Sequence, residues 1–545
     1  MTTATRVGYV GDTCVRVHEP DAPMRATTVI LCPQIGYEES CGRHGMIVLA
    51  RTLAGAGYRV VRMDYPGTGD SGGEADGTDW VAAIHRVIES AANDGGVVLV
   101  GVRIGSLLAA LTTRQRGVEG LVAWSPVMSG RRYVRELQAL RATGRRAAAA
   151  PKEPFSAGGF VYGEALFEQL RGLDLLAVPL KAGHTLVLDT PERPCDPRLI
   201  EHWRAQTTLS VTSIEGTGAW LNTSPEIAVD PSSAPLLAWL LEHFPKLDSS
   251  PPPTLCASLM AAPTSERPVT IATIGLDAIV HEPVAALPHA VAVVLLNTGA
   301  EHHLGPGREW VALARRWAAD GRVVLRLDLG GLAESPAHSG QTEQETYGAH
   351  AAGDLAAAVE WLRAHGHARM VVVGLCSGAY TAIEAGTMEG VVGVAAINPQ
   401  LYRFGTPPGN EAGLGDTSVR GMRVALRRHR MAELDRKLHV RTTLFAAADR
   451  LGVRHGSVGW LSALVAAGVD VRLIFGSVDP GLQFLERRGG PSLRKLQRSG
   501  RCTIIRHEQL DHPMHEPGPR AEIVEQLTMF VRSLDAPAFE RQLAE

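Results

Sequence analysis

The sequence predicts an α/β protein of two tandem domains, each a mostly parallel, doubly wound sheet, and three observations carry that prediction. The chain has 545 residues, several times the roughly 150 of an average domain. It repeats itself: Val-His-Glu-Pro stands at residues 17–20 and again at 280–283, an offset of 263. Within each copy, β-type apolar runs alternate with helical patterns, the signature of βαβ units and a parallel sheet.

The elements match in order. In the first copy, the strand TTVILCPQIG (27–36) precedes the helical MIVLARTLAGAGY and the strand YRVVRMDYPGTGDSGG, which carries Asp64. In the second, AVAVVLLNTGAE (290–301) precedes WVALARRWAADG and RVVLRLDLGGLAESP, where Asp328 takes the place of Asp64. An amphipathic helix follows in each, DWVAAIHRVIESAA or DLAAAVEWLRAHG, and then a β-rich strand ending in Gly-x-x-x-Gly, VVLVGVRIG or MVVVGLCSG. Arg103 therefore aligns with Cys376. LVAWSP (121–126) and VAAINP (394–399) close the match at an offset of 273, with ten extra residues inserted before the elbow.

Between the copies, residues 246–268 are rich in Pro and Ser and weak in periodicity, so they read as a linker between domains at 1–245 and 269–545. After the elbow the copies diverge. The first has the Arg- and Ala-rich helical segment 133–150, and the second has 399–437. Both lie where caps over the C-terminal edge of a sheet arise, although plain solvated helices account for their polarity equally well.

With 45% hydrophobic and 20% charged residues the composition is globular. A formal charge of -3 gives no field to draw the whole protein to nucleic acid or an anionic membrane. The start of the chain is polar, and no run approaches the roughly 18 apolar residues needed to span a bilayer, so a cytoplasmic location is expected. The seven cysteines are scattered without a CxxC pair, which argues against a disulfide framework and a structural zinc site. No metal-ligand spacing and no GxGxxG after a first strand are present, so neither a metal nor a cofactor is expected.

Chemistry concentrates in the second copy. Gly374-Leu375-Cys376-Ser377-Gly378 lies between an apolar strand and the helical AYTAIEAG, the context of a nucleophile elbow with Cys376 at its tip. A nucleophile needs a base and a group to orient that base, and in this architecture they follow it in the order acid, then histidine. Asp479 follows the strand VDVRLIFG, and His512 lies in the loop after RCTIIRHE, each just past a strand end. Asp449, His507 and His515 are the rivals. The oxyanion hole requires the N–H of Ser377 and a second N–H from the loop after 293–296, supplied by Gly299 or Ala300.

The second copy resembles an α/β-hydrolase of the serine-aminopeptidase-like group that includes the exosortase-associated hydrolases. The resemblance rests on residues 297–308 (NTGAEHHLGPGR), Leu327-Asp328-Leu329-Gly330-Gly331, the elbow, and residues 478–482 (VDPGL). The first copy is similar to the same group through residues 66–71 (PGTGDS) and 101–105 (GVRIG). Most members carry Ser at the elbow. Cys376 departs from that and is similar to the G-x-C-x-G elbow, with Asp and His, of dienelactone hydrolases and polyhydroxyalkanoate synthases.

In the first copy Arg103 holds the nucleophile position and cannot attack a carbonyl. The loop 216–220 (GTGAW) offers no base where His512 stands in the other copy, although Asp189 and Asp196 remain. Residues 1–245 therefore read as a non-catalytic hydrolase-like domain. Arg103 could bind a carboxylate or phosphate there, or be held by a neighbouring Asp.

Thiolates attack thioesters and activated esters well and expel amines poorly, so the expected enzyme is a thioesterase, an esterase or an acyltransferase working through acyl-Cys376. The expected substrate is a small acyl ester or thioester. Residues 420–437, with seven Arg or Lys against Glu433 and Asp435, are net +5 and suit docking of CoA phosphates or an acidic carrier protein; a basic solvated helix explains the same charges. The acyl group, the acceptor and the oligomeric state stay open. The alternative function is a catalytically inactive binding or scaffold protein on the same fold.

Overall fold

The structure is a computed structural model that describes residues 5–20, 23–91, 96–143, 155–224, 229, 231–247, 254–261, 264–401 and 457–535. It contains two large sheets, each built from its own half of the chain. The strands of the first are β1 (Thr5–Val10), β2 (Thr13–His18), β3 (Thr28–Cys32), β4 (Arg59–Met63), β5 (Val97–Val102) and β6 (Val118–Trp124). A small hairpin follows, β7 (Ser156–Ala157) with β8 (Phe160–Val161), and then β9 (Ala182–Asp189) and β10 (Thr208–Ser213) complete the first sheet. The second sheet holds β11 (Leu259–Ala261), β12 (Thr264–Ile271), β13 (Leu276–Pro283), β14 (Ala292–Leu296), β15 (Val324–Leu327), β16 (Met370–Leu375), β17 (Val391–Ile397), β18 (Asp470–Gly476) and β19 (Cys502–His507).

Their orders coincide. The first runs β1-β2-β4-β3-β5-β6-β9-β10, and the second runs β12-β13-β15-β14-β16-β17-β18-β19 with β11 added at one edge. In each, two antiparallel strands lead into a parallel remainder. The central strands β5 (VVLVGV) and β16 (MVVVGL) are buried at every position, as apolar runs must be when helices cover both faces of a parallel sheet. Alternate residues feed two cores. Val294, Leu296 and Val372 face one, and Val293, Leu295, Val371 and Val373 face the other.

One finding differs from the sequence expectation. The stretch 246–268, read as a linker, contains β11 and residues Thr264 to Pro268 of β12, so the second sheet begins inside it. Pro268 and the neighbouring serines hide this strand from a propensity reading, yet a strand toward a sheet edge tolerates proline. The Arg-rich segment of the first half is helical over Gly130–Thr143, with 144–150 outside the described residues. Among the described residues no helix is long and apolar enough to cross a membrane.

What positions the site is the reversal of strand order. From β14 the chain steps outward to β15, then returns to the other side of β14 as β16. The loops after β14 and β16 therefore diverge and leave a crevice at the carboxyl ends of the strands, the general location of ligand sites in such sheets.

Candidate active site

Cys376 sits on the turn between β16 and the helix Ser377–Ala385, at φ 55 and ψ -109. A non-glycine residue there is strained. The turn closes because its flanking positions have no side chain: a Cβ on Gly374 would lie 2.2 Å from the Gly378 carbonyl carbon, and one on Gly378 would lie 2.3 Å from the Asn297 carbonyl oxygen. The backbone N–H of Cys376 donates to Ile397 O at 2.9 Å, which ties the strained turn to β17.

The elbow, the loop after β18 and the loop after β19 meet. His512 Nε2 stands 3.2 Å from Cys376 Sγ, and His512 Nδ1 donates to Asp479 Oδ2 at 2.6 Å. The structure thus brings the predicted Cys376, His512 and Asp479 into one hydrogen-bonded line. Asp479 is fixed by its second oxygen, which caps the helix Pro480–Arg498 by accepting from Gly481 N at 2.7 Å. Burial pulls the His512 pKa down, but the hydrogen bonds to Asp479 and Cys376 and their negative charge outweigh it and lift it to about 10. The imidazole is therefore held as imidazolium beside the sulfur. Among the rivals, His507 pairs with Glu522 at 3.0 Å, and the His515 backbone N–H donates to Asp511 Oδ2 at 3.1 Å. Asp449 and the basic segment 420–437 lie outside the described residues.

Three residues that sequence reasoning missed complete the site. Gln400 Nε2 donates to Cys376 Sγ at 3.4 Å, and Tyr347 Oη is 3.7 Å from the same sulfur. Asn398, at φ 44, donates through Nδ2 to the carbonyls of Asp511 and His512 and accepts at Oδ1 from Gly476 N. It thereby joins the ends of β17 and β18 to the His512 loop. A signal for Asn398 was present in the matched Ser-Pro and Asn-Pro of the two copies; Ser125, its counterpart, also has a positive φ of 44. Tyr347 and Gln400 lie in irregular segments with no pattern to mark them.

Of the expected oxyanion donors, Ser377 N lies in the first turn of its helix, where no intrahelical acceptor exists. Gly299 N donates to Ser377 Oγ at 2.9 Å, so of the two residues expected to supply the second N–H, Gly299 is already engaged and Ala300 is the remaining candidate. The loop is held from beneath. Asp328 accepts from Asn297 Nδ2 at 2.6 Å, from His303 N at 2.7 Å and from His303 Nδ1 at 3.0 Å.

In the first half the elbow geometry is retained, with Arg103 at φ 54 and ψ -119, but the chemistry is not. The Arg103 guanidinium donates to Glu38 at 2.9 Å and to Glu136, while Arg193 reaches the same two carboxylates. Two acids thus already match the cation offered as an anion site. The segment after β10 carries no histidine, and its Trp220, in the helix Thr217–Asn222, donates to Gly42 O at 3.0 Å. Folding also gathers Asp70, His302 and His303 into a group whose ligand-type atoms lie within 4.8 Å of one another, a proximity that no local spacing announces. Asp70 accepts there from His303 and from Arg326 at 2.7 Å, with Arg16 at 3.5 Å. Those cations make the group an ion-pair network.

Comparison with known proteins bears on the fold. Residues 24–156 match the family model described as serine aminopeptidase, S33, of the hydrolases. The chain has an α/β-hydrolase fold. The matched region lies in the half that carries Arg103 at its elbow. Similar solved structures include an α/β serine hydrolase without a lid from Xanthomonas campestris, 17% identical, covering 46% of this chain and 98% of that one at a TM-score of 0.29. A putative dienelactone hydrolase from Klebsiella pneumoniae is 13% identical, covering 49% and 98% at 0.31. A dienelactone hydrolase from Anabaena variabilis is 15% identical, covering 49% and 96% at 0.31. No curated protein matches the chain.

Proposed function

We propose that the second half is an acyl hydrolase or acyltransferase that works through an acyl-Cys376 intermediate. The observation that carries this reading is the unbroken line Asp479 Oδ2, His512, Cys376 Sγ, with spacings of 2.6 and 3.2 Å. The Cys376 thiolate attacks the carbonyl carbon, forming a C–S bond and moving the carbonyl π pair onto oxygen. The N–H groups of Ser377 and Ala300 bind that oxyanion. As the intermediate collapses, the bond to the leaving group breaks and His512 gives it a proton. Water or another acceptor is then deprotonated by His512 and attacks the thioester, releasing acid or transferred product and regenerating the thiolate. Thiolate chemistry favours esters and thioesters, including those of CoA or a carrier protein, over amides.

The test is intact-protein mass spectrometry of wild type and Cys376→Ala mixed with a panel of acyl thioesters. An acyl mass gained by wild type and missing from the variant supports the reading. No adduct and no turnover across the panel favours a binding or scaffold role.

A further inference from the structure

The two halves meet across a buried, charged surface, and its two sides do the same thing in opposite directions. In the second half, His303 bridges its own Asp328 and, through Nε2, Asp70 of the first half at 3.0 Å. In the first half, Arg43 bridges its own Asp64 at 2.9 Å and Glu334 of the second half at 3.9 Å. Asp64 and Asp328, like Asp70 and Glu334, are equivalent at an offset of 264. The difference lies in what each bridge holds. Asp328 and His303 bound the loop that carries Gly299 and Ala300 beside Cys376, whereas Arg43 lies on the helix Tyr37–Gly55 of the half whose elbow is occupied by Arg103.

The same segment of the first half grips that loop a second time. Arg308 Nε donates to Gly69 O at 2.7 Å and Arg308 Nη2 to Ser71 O at 2.6 Å. Residues 69–71 therefore fasten the segment 297–308 at His303 and at Arg308, on either side of a turn with positive φ at Gly305 and Gly307. Asp70 is fully buried and is itself fixed by Arg326 at 2.7 Å. A donor in an oxyanion hole contributes only where it is already aimed, and an error of about 1 Å is costly.

We infer that Asp70 of the first half is a positioning residue for the second: through His303 it sets the loop whose Ala300 N–H stabilises the oxyanion at Cys376. This rests on the acyl-transfer reading. It gives the non-catalytic half a role in the reaction without contact with the reacting atoms.

The experiment compares two reactions of the same sulfur in the full-length chain. Acylation by p-nitrophenyl butyrate develops an oxyanion; alkylation by iodoacetamide does not. Asp70→Asn is expected to slow acylation by about ten- to a hundredfold while alkylation stays within about twofold of wild type. Asp70→Glu recovers part of the acylation rate. Arg62→Gln, which breaks another buried ion pair, to Glu334, across the same surface, lowers the melting temperature but leaves acylation unchanged. Equal loss of both reactions in Asp70→Asn, unchanged acylation, or the same acylation loss in Arg62→Gln overturns the inference. If Asp70→Asn gives no folded protein, the two rates of Asp70→Glu decide, since only reduced acylation with retained alkylation supports it. A wild type that is alkylated but never acylated overturns the acyl-transfer reading itself, and that result is distinct from an acylated wild type whose rate Asp70→Asn does not alter.

Discussion

Arg62 and Arg326 occupy equivalent positions on β4 and β15, and each holds a histidine of its own half while reaching a carboxylate of the other. Arg62 Nε donates to His18 Nε2 at 3.0 Å and its terminal nitrogens to Glu334; Arg326 Nε donates to His281 Nε2 at 2.9 Å and Nη1 to Asp70. Because both histidines accept at Nε2, both are neutral, and burial followed by the adjacent guanidinium holds each well below its ordinary pKa. This reciprocity is the arrangement of a self-complementary interface between two like subunits, carried here within one chain.

The interface titrates through His303. Burial works against its charge, but Asp328 and Asp70 raise its pKa from 6.5 to about 9; Asp277 at 3.8 Å, the ring of His302 and Arg326 behind Asp70 complete its surroundings. A folded value above the unfolded one means stabilisation that is complete below pH 6.5 and is lost as pH rises through 9. The shift corresponds to about 3 kcal/mol. Urea unfolding at pH 6 and at pH 9.5 should show that loss, and Asp70→Asn should flatten it.

The pH dependence of the sulfur's reactivity has a different source. His512 stays protonated to about pH 10, so acyl transfer should decline as pH rises through that value, where the proton for the leaving group is lost. Asp479→Asn keeps the helix cap through its side-chain oxygen but favours the wrong imidazole tautomer. It should lower kcat by about 10³-fold or more with little change in melting temperature. In His512→Ala, alkylation of Cys376 at pH 7 should slow about tenfold.

Much of this was legible because it depends on order along the chain. The duplicated strand order follows from a duplicated pattern, and Cys376, Asp479 and His512 were findable because the sheet delivers each at a strand end. The interface was not legible. Asp70 and His303 are 233 residues apart, and their pairing depends on how two finished sheets meet. Tyr347 and Gln400 were missed for a different reason, since they reach the sulfur from segments without periodicity. The strand Thr264–Ile271 was hidden by Pro268, whose usual meaning as a breaker is cancelled by its place near the sheet edge.

The first half should not be rescued by restoring its nucleophile. In Arg103→Ser, the hydroxyl has no base, because residues 214–220 after β10 (IEGTGAW) contain no histidine. Removing the guanidinium also leaves Glu38 and Glu136 with the more exposed Arg193 between them, Arg132 on the outer side of Glu136 and the Tyr133 hydroxyl on Glu38. The expected result is no gain of hydrolysis in a Cys376→Ala background. A loss of about 3 kcal/mol, within the range for breaking a buried ion pair, should be read from the urea midpoint.

Asn398 offers the sharpest separation of geometry from charge at the site. Its amide serves three backbone groups: it donates to the carbonyls of Asp511 and His512 at 3.1 and 2.9 Å and accepts from Gly476 N at 2.9 Å. Asn398→Ala leaves a buried N–H without its acceptor, at about 1–3 kcal/mol, and places Ala at φ 44, where Asn is tolerated better. Asn398→Asp keeps the acceptor for Gly476 but aims a second oxygen at two carbonyls, so the His512 loop is repelled while the β18 end is still held. Asp should therefore lower kcat at least as much as Ala while costing less stability per unit of activity lost. Parallel kcat and urea-midpoint measurements on both variants check this; equal ratios would mean that Asn398 acts on stability alone.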